Sequence, residues 1–126
     1  MAKLTTYNIW RQNKGKDEIN TIHGYTFDYS GIRYGISRNY LVKDGKKWKE
    51  EIGYEWKITE LTTGALVGIA GRTKKEAIEK LVSRENERRR EAIREAVKAW
   101  EKENRPDHNE NTIIQEQILS VHTNVA

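Results

Sequence analysis

Gly71-Arg72-Thr73-Lys74-Lys75-Glu76-Ala77-Ile78-Glu79-Lys80-Leu81-Val82 is where the chain changes period. Before it, apolar residues alternate; after it, they recur every three to four positions. Thr73 followed three residues later by Glu76 is a capping box, which fixes the start of a helix. Ala77, Ile78, Leu81 and Val82 make one apolar stripe, and Glu85 to Glu91 then carries no apolar residue. The stripe resumes with Ala92, Ile93, Ala96, Val97 and Trp100, and ends near Asn104, two residues before Pro106, the only proline.

Upstream the pattern is that of strands. Residues 4–11 are β-branched and aromatic, and Asn13 to Asn20 is polar and reads as a loop around Gly15. Tyr25, Phe27 and Tyr29 share one face. After the turn signal Ser30-Gly31, so do Ile32, Tyr34 and Ile36. Asp44-Gly45 is the strongest turn signal, expected as the centre of a type I′ turn with positive φ at both residues. Residues 46–52 read as a weak strand or ordered loop. Residues 53–61 read as a strand with Tyr54, Trp56 and Ile58 pointing one way. Thr62-Thr63-Gly64 turns the chain into a short apolar strand over 65–70, with Gly68 marking a bulge or close approach.

The fold expected is therefore α+β. An antiparallel β-meander of about five strands over 1–71 precedes a long helix over 73–103, and a short C-terminal element, helix or strand, covers 111–121. At 126 residues, this makes a single domain, 1–126. A straight helix of about 30 residues would be about 45 Å long. A domain of this size has a radius of gyration of roughly 14 Å. Either the helix breaks near Ser83-Arg84 or its second half overhangs the sheet. An overhanging apolar face invites a partner, so Ile93, Val97 and Trp100 are assigned to the interface of a homodimer or higher homo-oligomer. The intrachain alternative is that 111–121 folds back over them.

Composition narrows the function. The 23 basic and 19 acidic residues leave a net charge of +4, and 33% of the chain is charged. That balance is compatible with a nucleic-acid or nucleotide partner without demanding one. Cysteine is absent, which excludes disulfides and thiolate chemistry. No apolar run approaches a membrane span, and the N-terminus has no apolar signal region, so a cytoplasmic protein without membrane contact is expected. His23, His108 and His122 lie in separate segments without metal-ligand spacing, so no metal or cofactor is expected. The chain carries no nucleophile elbow, P-loop or paired-carboxylate motif. Non-catalytic binding is expected, not an enzyme.

Two clusters are candidate ligand sites. Arg72, Thr73, Lys74 and Lys75 surround a helix N-terminus, where free N–H groups and cations suit a phosphate; the alternative is a capped helix with solvated lysines. Arg33, Arg38, Lys47 and Trp48 belong to a basic, aromatic-interleaved sheet region in which rings stack bases and cations track phosphates; the alternative is a core-facing aromatic row with cations outside. Trp48 stands among lysines just after a tight turn. The run Arg88-Arg89-Arg90 reads mainly as a solvated face, with pairs such as Glu85–Arg89.

Residues 56–81 resemble the second half of a double-stranded-RNA-binding domain. In both, a hairpin leads through a glycine and a Ser/Thr-Lys-Lys-x-Ala signature into a helix, here Gly71, Thr73, Lys74, Lys75 and Ala77. That resemblance implies a helix start seated on phosphates. The layout also resembles small phage-encoded counter-defence proteins, in particular the Thoeris anti-defence sponges, which trap cyclic nucleotide signals between protomers. It implies a protein of a phage or mobile element that sequesters a nucleotide signal. Anti-CRISPR proteins share the style and imply a protein target instead. A phosphate-bearing ligand, a nucleic acid and a protein target are the three partners expected.

Overall fold

The computed structural model describes residues 3–114. Five strands, β1 (Thr5–Asn13), β2 (Lys16–Tyr29), β3 (Ile32–Asp44), β4 (Lys47–Glu60) and β5 (Leu66–Gly71), form one antiparallel sheet in sequence order. Two helices follow, α1 (Lys74–Val82) and α2 (Glu87–Lys102), joined by a 3₁₀ turn at Arg84–Asn86. The α+β class, the five-strand meander and the start of the helical part are as the sequence indicates. The C-terminal element expected over 111–121 lies largely outside the described residues.

The turns differ in detail. The expected loop at 13–20 is instead a tight hairpin, with Lys14 (φ 53°) and Gly15 (φ 77°) at its centre and strand resuming at Lys16. Both central residues there are left-handed, as a type I′ turn requires. At the third hairpin Asp44 pairs with Lys47, so the central residues are Gly45 and Lys46, not Asp44 and Gly45. Residues 46–52 are not a loop either: from Lys47 onwards they are part of β4.

The sheet has two working faces. One packs under the helices: Phe27, Ile32, Tyr34, Ile36, Ile58 and Ile69 meet Ala77, Ile78 and Leu81 of α1 and Val97 of α2. Phe27 and Tyr34, paired across β2 and β3, stack with centroids 5.2 Å apart. The other face is concave and carries Tyr7, Ile22 and Leu61, with Ile9 and Leu41 against them. Curling brings the free edge of β1 to the β4–β5 turn, where the Trp10 N–H donates to Gly64 O at 2.7 Å. Gly64 is needed at this approach, since a Cβ there would stand 3.0 Å from Trp10 N.

The helix breaks at Ser83, which is extended (φ −66°, ψ 154°). Carbonyls left open by the break are taken by side chains. Arg90 donates to Leu81 O at 2.8 Å and Ser83 O at 2.6 Å; Asn86 Nδ2 donates to Lys80 O at 2.6 Å. The break lets α2 lie on the sheet of its own chain. Arg89 reaches Gly68 O (2.8 Å), in place of the expected pair with Glu85, and Arg94 reaches Ser30 Oγ (2.6 Å).

The residues assigned to an oligomer interface are accounted for within the chain. Val97 and Trp100 are buried, and Ile93 packs against the same core as Val97. Trp100 meets Trp10 edge to face at 5.3 Å, and its Nε1–H donates to Pro106 O at 2.8 Å. Arg105 covers its outer side, with the guanidinium 3.6 Å from the ring centroid. The overhang that motivated the interface does not arise, because the helix is broken.

Candidate functional site

The helix start is largely satisfied from within. Thr73 Oγ1 accepts the Glu76 N–H at 3.0 Å, and Glu76 Oε2 accepts the Arg72 N–H at 3.1 Å, so the capping box forms in both directions. Lys80 stands 3.3 Å from Glu76, and Lys75 stands 3.9 Å from Glu79. The Arg72 N–H, then Lys80, hold the Glu76 carboxyl below its ordinary pKa. A carboxylate thus occupies part of the space a phosphate would take, and Thr73 and Lys75 serve the cap and an exposed ion pair.

Lys74 behaves differently. Its Nζ lies 3.9 Å from the Tyr25 ring centroid and 6.0 Å from that of Trp56. Partial burial lowers its pKa. Arg38 approaches the same Trp56 ring at 5.7 Å, and the Tyr25 and Trp56 rings are 6.1 Å apart. Two cations and two rings are therefore interleaved where α1 begins, with β2 and β4 beneath.

Tyr54 extends this surface. The β3–β4 register runs from Ser37↔Lys57 to Asn39↔Ile52, so residues 53–56 bulge opposite Arg38. Gly53 permits it: a Cβ there would stand 2.9 Å from Arg38 O. The bulge turns Tyr54 outward until it is 97% exposed. Tyr54 and Glu55 then form a ridge between two open clefts. One, of about 660 Å³, runs to Arg72 and Lys80 on the α1 side; the other, of about 350 Å³, runs to Arg38 and Lys57 on the β3 side. Among the described residues, neither Arg72 nor Arg38 has a carboxylate within ion-pair distance.

The remaining candidates fall elsewhere. Arg33 is a structural residue: it pairs with Asp107 and donates to Asn109 O at 2.9 Å and Thr62 Oγ1 at 3.2 Å. Lys47 and Trp48 sit at the tip of the β3–β4 hairpin, apart from the α1 start. Trp48 is flanked there by Arg11 at 4.8 Å and Lys43 at 5.6 Å. Of the eight assigned residues, only Arg72, Lys74 and Arg38 come together, with Tyr25, Trp56 and Tyr54. Strand alternation places Tyr54 beside Ile58 in the core, and the structure corrects that. Gly53 inside an alternating run is the signal that marks the bulge.

Among the described residues no cluster of His, Asp and Glu is arranged to hold a metal ion, and no helix is long and apolar enough to cross a membrane. Comparison with protein-family models, with curated proteins and with solved structures finds no match to this chain.

Proposed function

We propose that the protein is a non-catalytic binder of a phosphate-bearing ligand that also carries a base, held on the Tyr54 ridge. The observation that carries this reading is Tyr54 itself, a ring 97% exposed between two clefts whose walls bear Arg72 and Arg38. A base stacks on an exposed ring, which is worth about 1–3 kcal/mol. A guanidinium without a carboxylate partner is a bidentate donor to phosphate. Lys74 adds charge beside Tyr25 and Trp56. The described histidines support binding without turnover, since both are engaged: His23 Nδ1 with Glu50 at 3.0 Å and His108 Nδ1 with Thr63 O at 2.7 Å. Sequestration of a nucleotide signal, as the likeness to anti-defence sponges implies, is one use of such a surface.

The openness of both clefts favours a second reading, in which a single strand of nucleic acid runs across the ridge. Titration with linear and cyclic mononucleotides and with a short oligothymidylate tests both. Saturable mononucleotide binding supports the first. Strand binding whose affinity falls steeply with salt supports the second. Absence of binding to every probe at low salt removes both and directs attention to a protein target.

A further inference from the structure

The concave face, opposite the helices, holds a second and separate feature. The β1–β2 and β3–β4 hairpins face each other across a cavity of about 230 Å³. Tyr7, Ile9 and Ile22 line it from the first hairpin and Leu41 from the second, while Ser37 and Thr59 form its polar side. For scale, a cavity of roughly 150 Å³ with apolar walls is enough to hold benzene.

Tyr7 gives the cavity a direction. Its ring lies flat on two glycines: a Cβ on Gly35 would stand 2.6 Å from Tyr7 Cζ, and one on Gly24 would stand 2.8 Å from Cε2. Side chains are therefore excluded at both positions to make room for this ring. Since Gly35 pairs with Thr59, the hydroxyl end projects towards Thr59 and the cavity. Tyr7 is 2% exposed, and its hydroxyl has no hydrogen-bond partner. Burial pushes its pKa up, and the nearby Thr59 hydroxyl offsets this only in part, without reaching hydrogen-bond geometry. A buried donor without an acceptor is costly to keep unless something supplies the acceptor. Arg11 and Lys57, both exposed and without carboxylate partners among the described residues, also line the cavity.

We infer that this cavity is a binding site for a single-ring aromatic carboxylate carrying an oxygen at its far end. The ring fills the apolar walls, the far oxygen accepts from the Tyr7 hydroxyl, and the carboxylate meets Arg11 and Lys57. The site lies on the face away from the Tyr54 ridge and does not depend on the function proposed for that ridge.

The probes are 4-hydroxybenzoate, benzoate and toluene, titrated into the ¹⁵N-labelled protein and followed by amide shifts. Saturable shifts at Tyr7, Ile22 and Thr59, with 4-hydroxybenzoate binding most tightly, are expected. Tyr7→Phe should weaken 4-hydroxybenzoate about fivefold, as loss of one hydrogen bond does. It should leave benzoate unchanged and raise the melting temperature of the free protein. Leu41→Trp, which fills the cavity, should abolish the shifts; Ile9→Phe serves the same purpose if that variant does not fold. No localised shift with any probe would mean that the cavity takes water only, and would overturn the inference. So would equal affinities for toluene and 4-hydroxybenzoate, or a Tyr7→Phe protein that binds 4-hydroxybenzoate as tightly as the parent.

Discussion

The side-chain amide of Asn109 pairs with the backbone of Asn8 as another strand would: Oδ1 accepts the Asn8 N–H at 2.7 Å, and Nδ2 donates to Asn8 O at 2.9 Å. The same Nδ2 donates to Leu61 O at 2.8 Å, so one side chain ties the β1 edge to the end of β4. The segment after α2 is thereby sewn to the sheet. His108 N–H adds a bond to Thr62 O at 3.0 Å, and Arg33 grips Asp107 and Asn109 O. Asn109 is 3% exposed, so its partners have no water to fall back on. Asn109→Ala should cost about 3 kcal/mol, because buried backbone groups are left unpaired. Urea denaturation measures it. Loss of less than about 1 kcal/mol would show that the edge is held by other contacts.

Trp100 separates two readings of α2. Buried against Trp10, Pro106 and Arg105, it is part of the fold of one chain. Trp100→Ala should destabilise by about 3–5 kcal/mol, the range for removing a large core aromatic. Native mass spectrometry at the same concentration should give the same species as the parent. A smaller species with unaltered stability would instead place Trp100 between protomers.

These two residues also mark what could and could not be read from the chain. The helix start was legible because Thr73 and Glu76 are three residues apart and make their bonds to each other's backbone. The strands were legible because alternation is local, and Ser83-Arg84 as a break point followed from the gap in the apolar stripe. Asn109 was not legible: its partners lie 101 and 48 residues away, and nothing near it in sequence names them. Tyr54 was misplaced for a related reason. Its orientation depends on the register of β4 against β3, and a bulge reverses the side every later residue faces. At the candidate site, Lys74 and Lys75 are adjacent and look alike in sequence; only the fold sets one over Tyr25 and the other beside Glu79.

That difference is testable. If the Tyr54 ridge binds a base and a phosphate, Tyr54→Ala should reduce affinity about tenfold, within the range of one lost stacking contact. Lys74→Ala should weaken binding and Lys75→Ala should leave it near the parent value. All three positions are outside the buried core, so melting temperatures should stay close to the parent. Equal losses for Lys74→Ala and Lys75→Ala would point to general charge attraction rather than to this surface.

Glu50 gives the fold a dependence on acid. Burial alone would raise its pKa, but hydrogen bonds from the Asn39 side-chain amide and from the His23 N–H, at 2.8 Å for the latter, outweigh it and bring the net shift below the ordinary 4.5. The carboxylate bridges β2 and β4 at the level where β2 leaves β3, since the β2–β3 ladder begins only at Tyr25↔Ile36. A group whose pKa falls on folding contributes stability that is complete above its unfolded value and is lost as pH drops through the folded one. Glu50 should therefore contribute fully above about pH 5 and progressively less as the pH falls below 4.5. Glu50→Gln keeps the shape and can still accept from Asn39, but it does not titrate. The parent's stability should fall more steeply than that of Glu50→Gln as the pH is lowered from 6 to 3, in urea melts at fixed ionic strength. Parallel curves would show that Glu50 has the same proton affinity in the folded and unfolded chains, and that the bridge to His23 and Asn39 contributes nothing linked to its charge.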